Sequence, residues 1–273
     1  NERTAFMTLT DKISHAAERK AFETLLDNLI KKGQTQDASQ VASDLVAMVQ
    51  RLHGDVWSEK SFQTLRMIAN DPNGKWAHYT QRLLRDNDPY ILKTFLTNAV
   101  YEGGIRGYHV AQETAAKYDI NVPWLILMDP TSACNMHCTG CWAAEYGHKQ
   151  SLTFEEMDKT LTEAKALGTH ACLFTGGEPL MRKKDIIRLC EKHRDIAFHA
   201  FTNGTLIDNE FCKEMLRVGN FFVSVSIEGF EEANDTSSGR LPPWTSCAAT
   251  VSRSAFPSAT RAETTRSSRA TNF

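Results

Sequence analysis

Three cysteines stand close together in the segment CNMHCTGCW, at positions 134, 138 and 141. A structural zinc site needs four ligands, usually supplied as two pairs, and the sequence has no second C-x-x-C pair. A dithiol redox motif needs only Cys138 and Cys141 and leaves Cys134 without a role. A [4Fe-4S] cluster can take three thiolates from one short loop and leave its fourth iron open for another ligand. The spacing alone leaves these three interpretations open.

The other polar motifs each follow a short apolar run. Four such runs predict buried strands, at residues 124–128, 171–175, 197–202 and 221–227. The cysteine loop follows the first run, TGGEPL the second, TNG the third and SIEG the fourth. Because the carboxyl ends of parallel strands lie at one edge of a sheet, we expect all four motifs to meet at one site.

An amphipathic helix follows each of the first three runs, which is the βαβ pattern of a parallel sheet. Thr153 and Glu156 predict a capping box at the start of the first helix, and Gly168 predicts its end. Asp208 predicts the start of the third helix and Gly219 its end.

Residues 1–122 form a different region, in which apolar residues recur three and four positions apart. This spacing predicts an all-helical N-terminal region with no catalytic pattern. Gly33 and Gly54 stand where helices would end, and DPNG at 71–74 predicts a turn.

The composition changes again at residues 240–273, where serine, threonine, alanine and arginine predominate. We expect this segment to be a disordered tail, or the product of a frame shift near Gly239, and favour the frame shift. The absence of an initiator methionine suggests a fragment.

The bulk composition restricts the class of protein. The chain has 273 residues, of which 41% are hydrophobic and 23% charged, and its formal net charge is -2. These values predict a globular protein without nucleic acid as its main partner. We expect a cytoplasmic location, because the sequence contains neither an apolar run long enough to span a membrane nor a signal peptide.

The cysteine loop after the first strand and GGEP after the second resemble the radical S-adenosylmethionine (radical SAM) superfamily over about residues 123–236. The resemblance implies an α/β fold, a partial parallel (β/α) barrel that is truncated here to about four strands and occupies residues 123–239. It also implies a [4Fe-4S] cluster that cleaves SAM reductively to a 5'-deoxyadenosyl radical, which abstracts hydrogen from an unknown substrate. An external one-electron reductant such as flavodoxin or ferredoxin is then needed.

Residues can be carried over from the family pattern one by one. Cys134, Cys138 and Cys141 resemble its cluster ligands. The positions that resemble its SAM-binding segments are Gly176, Gly177, Glu178, Pro179, Asn203, Ser226 and Glu228.

Two features depart from that pattern. Gly140 stands before the last cysteine where the family often has an aromatic residue, and Trp142 follows instead. The family barrel usually has six βα units, so we expect impaired or absent activity from a chain with four legible strands. The alternative function is a zinc or iron–sulfur binding module without catalysis.

Overall fold

A computed structural model describes residues 9–226, apart from residues 54–57, 72, 139, 142, 144–146, 148 and 149. The predictions made for Gly54, Trp142, Glu228 and residues 240–273 lie outside the described residues. Within them, no helix is both long and apolar enough to cross a membrane.

The first part of the described chain is helical, as the sequence predicts. Its α-helices are α1 (Leu9–Thr35), α2 (Ala38–His53), α3 (Glu59–Ala69), α4 (Lys75–Asp86), α5 (Pro89–Leu96) and α6 (Tyr108–Tyr118). A π-helix, Thr97–Gly107, lies between α5 and α6. The sequence pattern predicts an ordinary helix there, so the wider turn is a difference between prediction and structure.

Strands and helices alternate from residue 126 onward. The elements are β1 (Ile126–Met128), α7 (Phe154–Ala166), β2 (Ala171–Phe174), a 3₁₀ helix (Pro179–Arg182), α8 (Lys183–Lys192), β3 (Ala197–Thr202), α9 (Asn209–Val218) and β4 (Phe221–Val225). All strand pairs are parallel, and the sheet order is β1-β2-β3-β4. The predicted α/β fold, with about four parallel strands after a helical region, is confirmed.

The predicted helix signals are present in the structure. The Thr153 hydroxyl accepts a hydrogen bond from the Glu156 amide, and the Glu156 carboxylate accepts one from the Thr153 amide, which completes the capping box. Asp208 caps α9, and Gly219 ends that helix with a φ of 73° in the left-handed region. These local signals fix where the helices begin and end after each strand.

The prediction that Gly33 ends a helix is wrong, because α1 continues through it to Thr35. A Cβ atom on Gly33 would lie 2.6 Å from the Cβ atom of Leu84. Glycine is therefore present because α4 packs very close to α1 at this point.

The chain divides into two compact units. The first unit consists of two segments, one that ends at Asp27 and one that runs from Tyr90 through the sheet. The second unit contains Asn28–Pro89. The domain boundaries that we place at residues 122 and 239 stay predictions.

The second unit is a small helical group. Its core is formed by buried side chains of α2, α3 and α4, among them Ala42, Phe62 and Ala77.

The first unit has its core between the sheet and α7, α8 and α9. Phe174 and Phe198 stack in parallel there, with ring centroids 5.6 Å apart, and both are fully buried. The opposite face of the sheet is more open, since Leu127 and Phe201 are exposed. This packing fixes the carboxyl ends of all four strands at one edge.

Candidate functional site

The cysteine loop is closed at its base by a short antiparallel bridge between Thr131 and Ser151. The two hydroxyl oxygens are 2.7 Å apart, and the Ser132 amide donates to the Gln150 carbonyl at 2.8 Å. The chain thus leaves β1 and returns toward α7 through a fixed neck, and the first cysteine follows that neck directly.

Arg182 supports the neck from the 3₁₀ helix. Its guanidinium donates to the carbonyls of Leu152 at 2.7 Å and Pro130 at 3.3 Å, and it forms an ion pair with Asp185 at 2.8 Å. The side chain of Arg182 therefore braces both strands of the neck.

The GGEP segment lies directly against the chain that precedes Cys134. The Gly177 amide donates to the Thr131 carbonyl at 3.0 Å, and the Glu178 amide donates to the Ala133 carbonyl at 2.8 Å. A Cβ atom on Gly177 would lie 2.2 Å from the Ala133 carbonyl oxygen, so any larger residue would separate the two segments. Gly177 thus allows the GGEP segment to pack directly against the start of the cysteine loop.

Gly176 has a φ of +103° and packs against Asp129, the residue that follows β1. A Cβ atom on Gly176 would lie 3.0 Å from the Cβ atom of Asp129 and 3.2 Å from its Cγ atom. The space beside Gly176 is therefore occupied by the Asp129 carboxyl group.

The carboxylate of Glu178 points into the protein, where the residue is only 1% exposed. Its Oε1 atom accepts hydrogen bonds from the Leu180 amide at 2.9 Å and the Thr202 hydroxyl at 2.7 Å. Its Oε2 atom accepts one from the Asn203 amide at 2.8 Å. Glu178 thus joins the loop after β2 to the end of β3.

Asn203 continues this connection to the cysteine loop. Its Nδ2 atom donates to the Asn135 side-chain oxygen at 2.9 Å and lies 4.0 Å from the Cys134 sulfur. Asn135 in turn donates to the Thr205 hydroxyl at 2.7 Å. The segments that follow β1, β2 and β3 are therefore joined by side-chain hydrogen bonds.

Two further predicted residues lie on the same edge of the sheet. Pro179 is buried at the first position of the 3₁₀ helix that Glu178 caps. Ser226 is exposed directly after β4, and its amide donates to the Thr202 carbonyl at 2.9 Å.

The three cysteines are all partly buried. Burial is the main cause that raises the pKa of Cys134 above its ordinary value. Among the described residues, no three His, Cys, Asp or Glu side chains are grouped so that they could hold a metal ion. Within the described residues, no atom lies within 4 Å of the Cβ position of Gly140, which has a φ of +75°.

A cavity of about 640 Å³ opens beside β1. Its lining includes the side of β1 and the loop neck, and it reaches Asp129, Gly176 and Gly177. Burial raises the pKa of Asp129 above its ordinary value, although the residue still reaches solvent. The cavity thus extends from an apolar strand to the polar edge of the sheet.

Comparison with known proteins agrees with this arrangement. Residues 128–244 match the family model described as the Radical SAM superfamily. Residues 128–244 belong to the radical SAM superfamily. The resemblance predicted from the cysteine loop and GGEP is thereby confirmed at the level of the superfamily.

Two curated relatives illustrate the range of similar radical SAM proteins. The Fe-coproporphyrin III synthase of Methanosarcina barkeri (strain Fusaro / DSM 804) is 36% identical over 115 residues, which is 41% of this chain and 29% of the relative. The PqqA peptide cyclase of Bradyrhizobium diazoefficiens (strain JCM 10833 / BCRC 13528 / IAM 13628 / NBRC 14792 / USDA 110) is 30% identical over 115 residues, 41% of this chain and 30% of the relative. The chain thus spans less than a third of the length of either relative.

Among solved structures, SuiB of Streptococcus suis bound to its precursor peptide SuiA is similar with a TM-score of 0.42 and 20% identity. The match covers 57% of this chain and 34% of SuiB.

The chemistry of the donor set fits the [4Fe-4S] cluster of this superfamily. Three thiols follow one another on a loop whose base is fixed by the Thr131–Ser151 bridge. Thiolate sulfur is the ligand that iron–sulfur clusters use in proteins.

Several residues at this edge are missing from the sequence-based prediction. Asp129, Asn135, Arg182 and Thr202 all contact the segments that carry the predicted site. Asp129 and Thr202 stand at the carboxyl ends of predicted strands, which is a signal that the sequence does contain. The bonds of Asn135 and Arg182 depend on tertiary contacts that no local pattern displays.

Proposed function

We propose that this chain provides the catalytic core of a radical SAM enzyme, with a [4Fe-4S] cluster held by Cys134, Cys138 and Cys141. When bound and reduced, such a cluster supplies the electron that cleaves SAM to methionine and a 5'-deoxyadenosyl radical, which abstracts hydrogen from a substrate. We further propose an external one-electron reductant of the flavodoxin or ferredoxin type. The substrate is not specified by the residues of the site.

One observation carries this proposal within the matched region. Hydrogen bonds join the segments after β1, β2 and β3. Glu178 accepts from the Asn203 amide, and the Asn203 side chain donates to Asn135 beside Cys134. Residues that are far apart in sequence are thus held at one edge of a parallel sheet, where ligands of such folds bind.

The chain's own residues have three tasks in this proposal. The neck at Thr131 and Ser151 fixes the start of the loop that binds the cluster. Glu178 and Asn203 hold the neighbouring segments in register with that loop. Gly176, Gly177, Pro179, Ser226 and Glu228 stay proposed contributors to the SAM site.

Anaerobic reconstitution with iron and sulfide tests the proposal. We expect a brown protein that binds about four iron atoms per chain. With dithionite and SAM it should form 5'-deoxyadenosine more slowly than a protein with the later strands of the family barrel, because this chain has only four legible strands. Cys138→Ala is expected to lose the cluster and product formation, because a thiolate ligand is removed. Iron analysis and chromatography of the products measure the two results.

Cys172→Ala is the matched control, because it also removes one thiol but from a buried position in β2. We expect it to retain the iron content of the unchanged protein. A colourless protein that retains one zinc ion per chain after reconstitution would contradict the proposed function and support the alternative of a zinc-binding module.

A further inference from the structure

The GGEP segment resembles a SAM-binding segment of the superfamily and contains one acid, Glu178. A carboxylate is the side-chain group that suits the ammonium group of SAM. In the structure the two carboxylate oxygens of Glu178 accept three internal hydrogen bonds, and the residue is 1% exposed. Burial and these bonds, which join β3 to the loop after β2, direct the Glu178 carboxylate away from solvent. Glu178 is therefore poorly placed to bind a ligand directly.

Asp129 has the opposite environment. Its carboxyl group lies against Gly176, at 3.2 Å from the Cβ position of that glycine, and it lines the cavity beside β1. No residue in the described part of the chain donates a hydrogen bond to this carboxylate or forms an ion pair with it. An acceptor-only group at the wall of a cavity requires a donor from water or from a ligand.

Lack of a cationic partner is also consistent with the raised pKa of Asp129, which is due to burial. A bound ammonium group would reverse that shift, because an opposite charge favours the ionised carboxylate. The position of Asp129 beside the Gly176–Gly177 turn places this carboxylate at the segment proposed for SAM.

We propose that Asp129, rather than Glu178, is the carboxylate that binds the ammonium group of SAM in this chain. This inference rests on the proposed function, since it assumes that SAM binds beside the Gly176–Gly177 turn. Glu178 then acts as a positioning residue that holds the turn and Asn203 in place. The bond formed is a charge-assisted hydrogen bond from the ligand ammonium to the Asp129 carboxylate, without any covalent change.

Equilibrium dialysis of labelled SAM against the reconstituted chain tests the assignment. Asp129→Asn keeps the shape of the side chain and removes its charge, so we expect the Kd for SAM to rise about tenfold or more. Iron and sulfide content should stay unchanged. Glu155→Gln, which neutralises an exposed acid in the first turn of α7, is the matched control and should alter neither quantity.

A SAM analogue with hydrogen in place of the amino group identifies the group that Asp129 binds. We expect the unchanged protein and Asp129→Asn to bind this analogue equally well. Equal weakening of both ligands by Asp129→Asn would overturn the assignment, and so would an unchanged Kd for SAM. Asp129→Ser provides a second variant, and loss of the cluster in both variants would make Asp129 a structural residue and overturn the assignment.

Failure of this inference is distinguishable from failure of the proposed function. An unchanged protein that takes up no cluster or binds no SAM overturns both. An unchanged protein that binds SAM while Asp129→Asn binds it equally well overturns the role of Asp129 alone.

Discussion

The carboxylate of Glu178 holds two parts of the site together through three hydrogen bonds. It binds the Leu180 amide within its own loop, and the Thr202 hydroxyl and Asn203 amide at the end of β3. A buried acceptor of this kind contributes most through the donors that would otherwise have no partner. Its effect on the fold can therefore be measured apart from any ligand.

In the unchanged protein the Glu178 carboxylate accepts three hydrogen bonds. Glu178→Gln replaces one carboxylate oxygen with an NH₂ group, which cannot accept a hydrogen bond from these donors. We expect it to lower the free energy of unfolding by about 2 kcal/mol, because at least one buried donor loses its acceptor. Urea unfolding measures the change. Glu163→Gln on the exposed face of α7 is the control and should stay within about 0.5 kcal/mol of the unchanged protein. A Glu178→Gln protein as stable as the control would contradict this role.

Residue types alone identify GGEP but do not show the direction of its acid. The side chain of Glu178 turns inward because Thr202 and Asn203 present donors to it, and these residues lie 24 and 25 positions later in the chain. The same limit applies to Asp129, whose contact with Gly176 requires β1 and β2 to be paired. The loop that carries the cysteines can be predicted from the sequence, whereas the partners of each side chain cannot.

At the scale of elements, α9 shows how a local signal and a tertiary contact combine. Asp208 accepts a hydrogen bond from the Phe211 amide at 2.7 Å and forms an ion pair with Lys183 at 2.6 Å. The hydrogen bond from Lys183, followed by that from the Phe211 amide, lowers the pKa of Asp208 below its ordinary value. The ionised acid is therefore favoured in the folded state.

Asp208→Asn keeps a capping side chain but removes the charge, so it removes the contribution of the ion pair with Lys183 and of the charge-assisted part of the helix cap. Because the folded-state pKa is lowered, this contribution is present above the ordinary pKa near 4 and is lost as the pH falls through the folded value. We expect Asp208→Asn to be about 0.5 kcal/mol less stable at pH 6, and we expect this difference to be smaller at about pH 2.5, as measured by thermal unfolding.

Lys183→Gln is the control for this comparison, since it removes the other partner of the ion pair. Adding Asp208→Asn to Lys183→Gln should cause a smaller pH-dependent loss than in the unchanged protein, because only the backbone hydrogen bonds at the start of α9 then favour the ionised acid. A difference between Asp208→Asn and the unchanged protein that is the same at both pH values would contradict the ion-pair explanation.

Most strands and their helices are predictable from local signals. A short apolar run indicates each strand, and capping residues and glycines indicate where the helices begin and end. The third strand, for example, occupies residues 197–202 as predicted, whereas the first begins at Ile126, two residues later than predicted. The π-helix at Thr97–Gly107 is not predictable from periodicity, because its position depends on close packing. A Cβ atom on Gly107 would lie 2.3 Å from the Gly168 carbonyl oxygen, which belongs to the turn after α7.

At the scale of the whole chain, the N-terminal helices of the first unit are tied to the sheet by buried polar groups. Asn98 is fully buried, and its Nδ2 atom donates to the Ile196 carbonyl at 3.0 Å and the Arg194 carbonyl at 2.8 Å. Glu102 is also fully buried and forms ion pairs with Arg19 and, at 3.0 Å, with His15 if that ring is protonated. The π-helix thus connects α1 to the segment that leads into β3.

Asn98→Leu tests whether this connection stabilises the first unit. Leucine has a similar volume but donates no hydrogen bond, so the carbonyls of Arg194 and Ile196 lose a donor, and we expect the free energy of unfolding to fall by about 2–3 kcal/mol. Thr97→Val is the matched control at the neighbouring position, because the buried Thr97 hydroxyl has no hydrogen-bond partner within the described residues. Replacing that hydroxyl with a methyl group should leave stability unchanged or raise it by up to about 1 kcal/mol, since an unsatisfied polar group is removed.

Urea unfolding of both variants measures the difference in their free energies of unfolding. Equal losses in Asn98→Leu and Thr97→Val would mean that packing in the π-helix, rather than the hydrogen bonds of Asn98, holds the helices to the sheet.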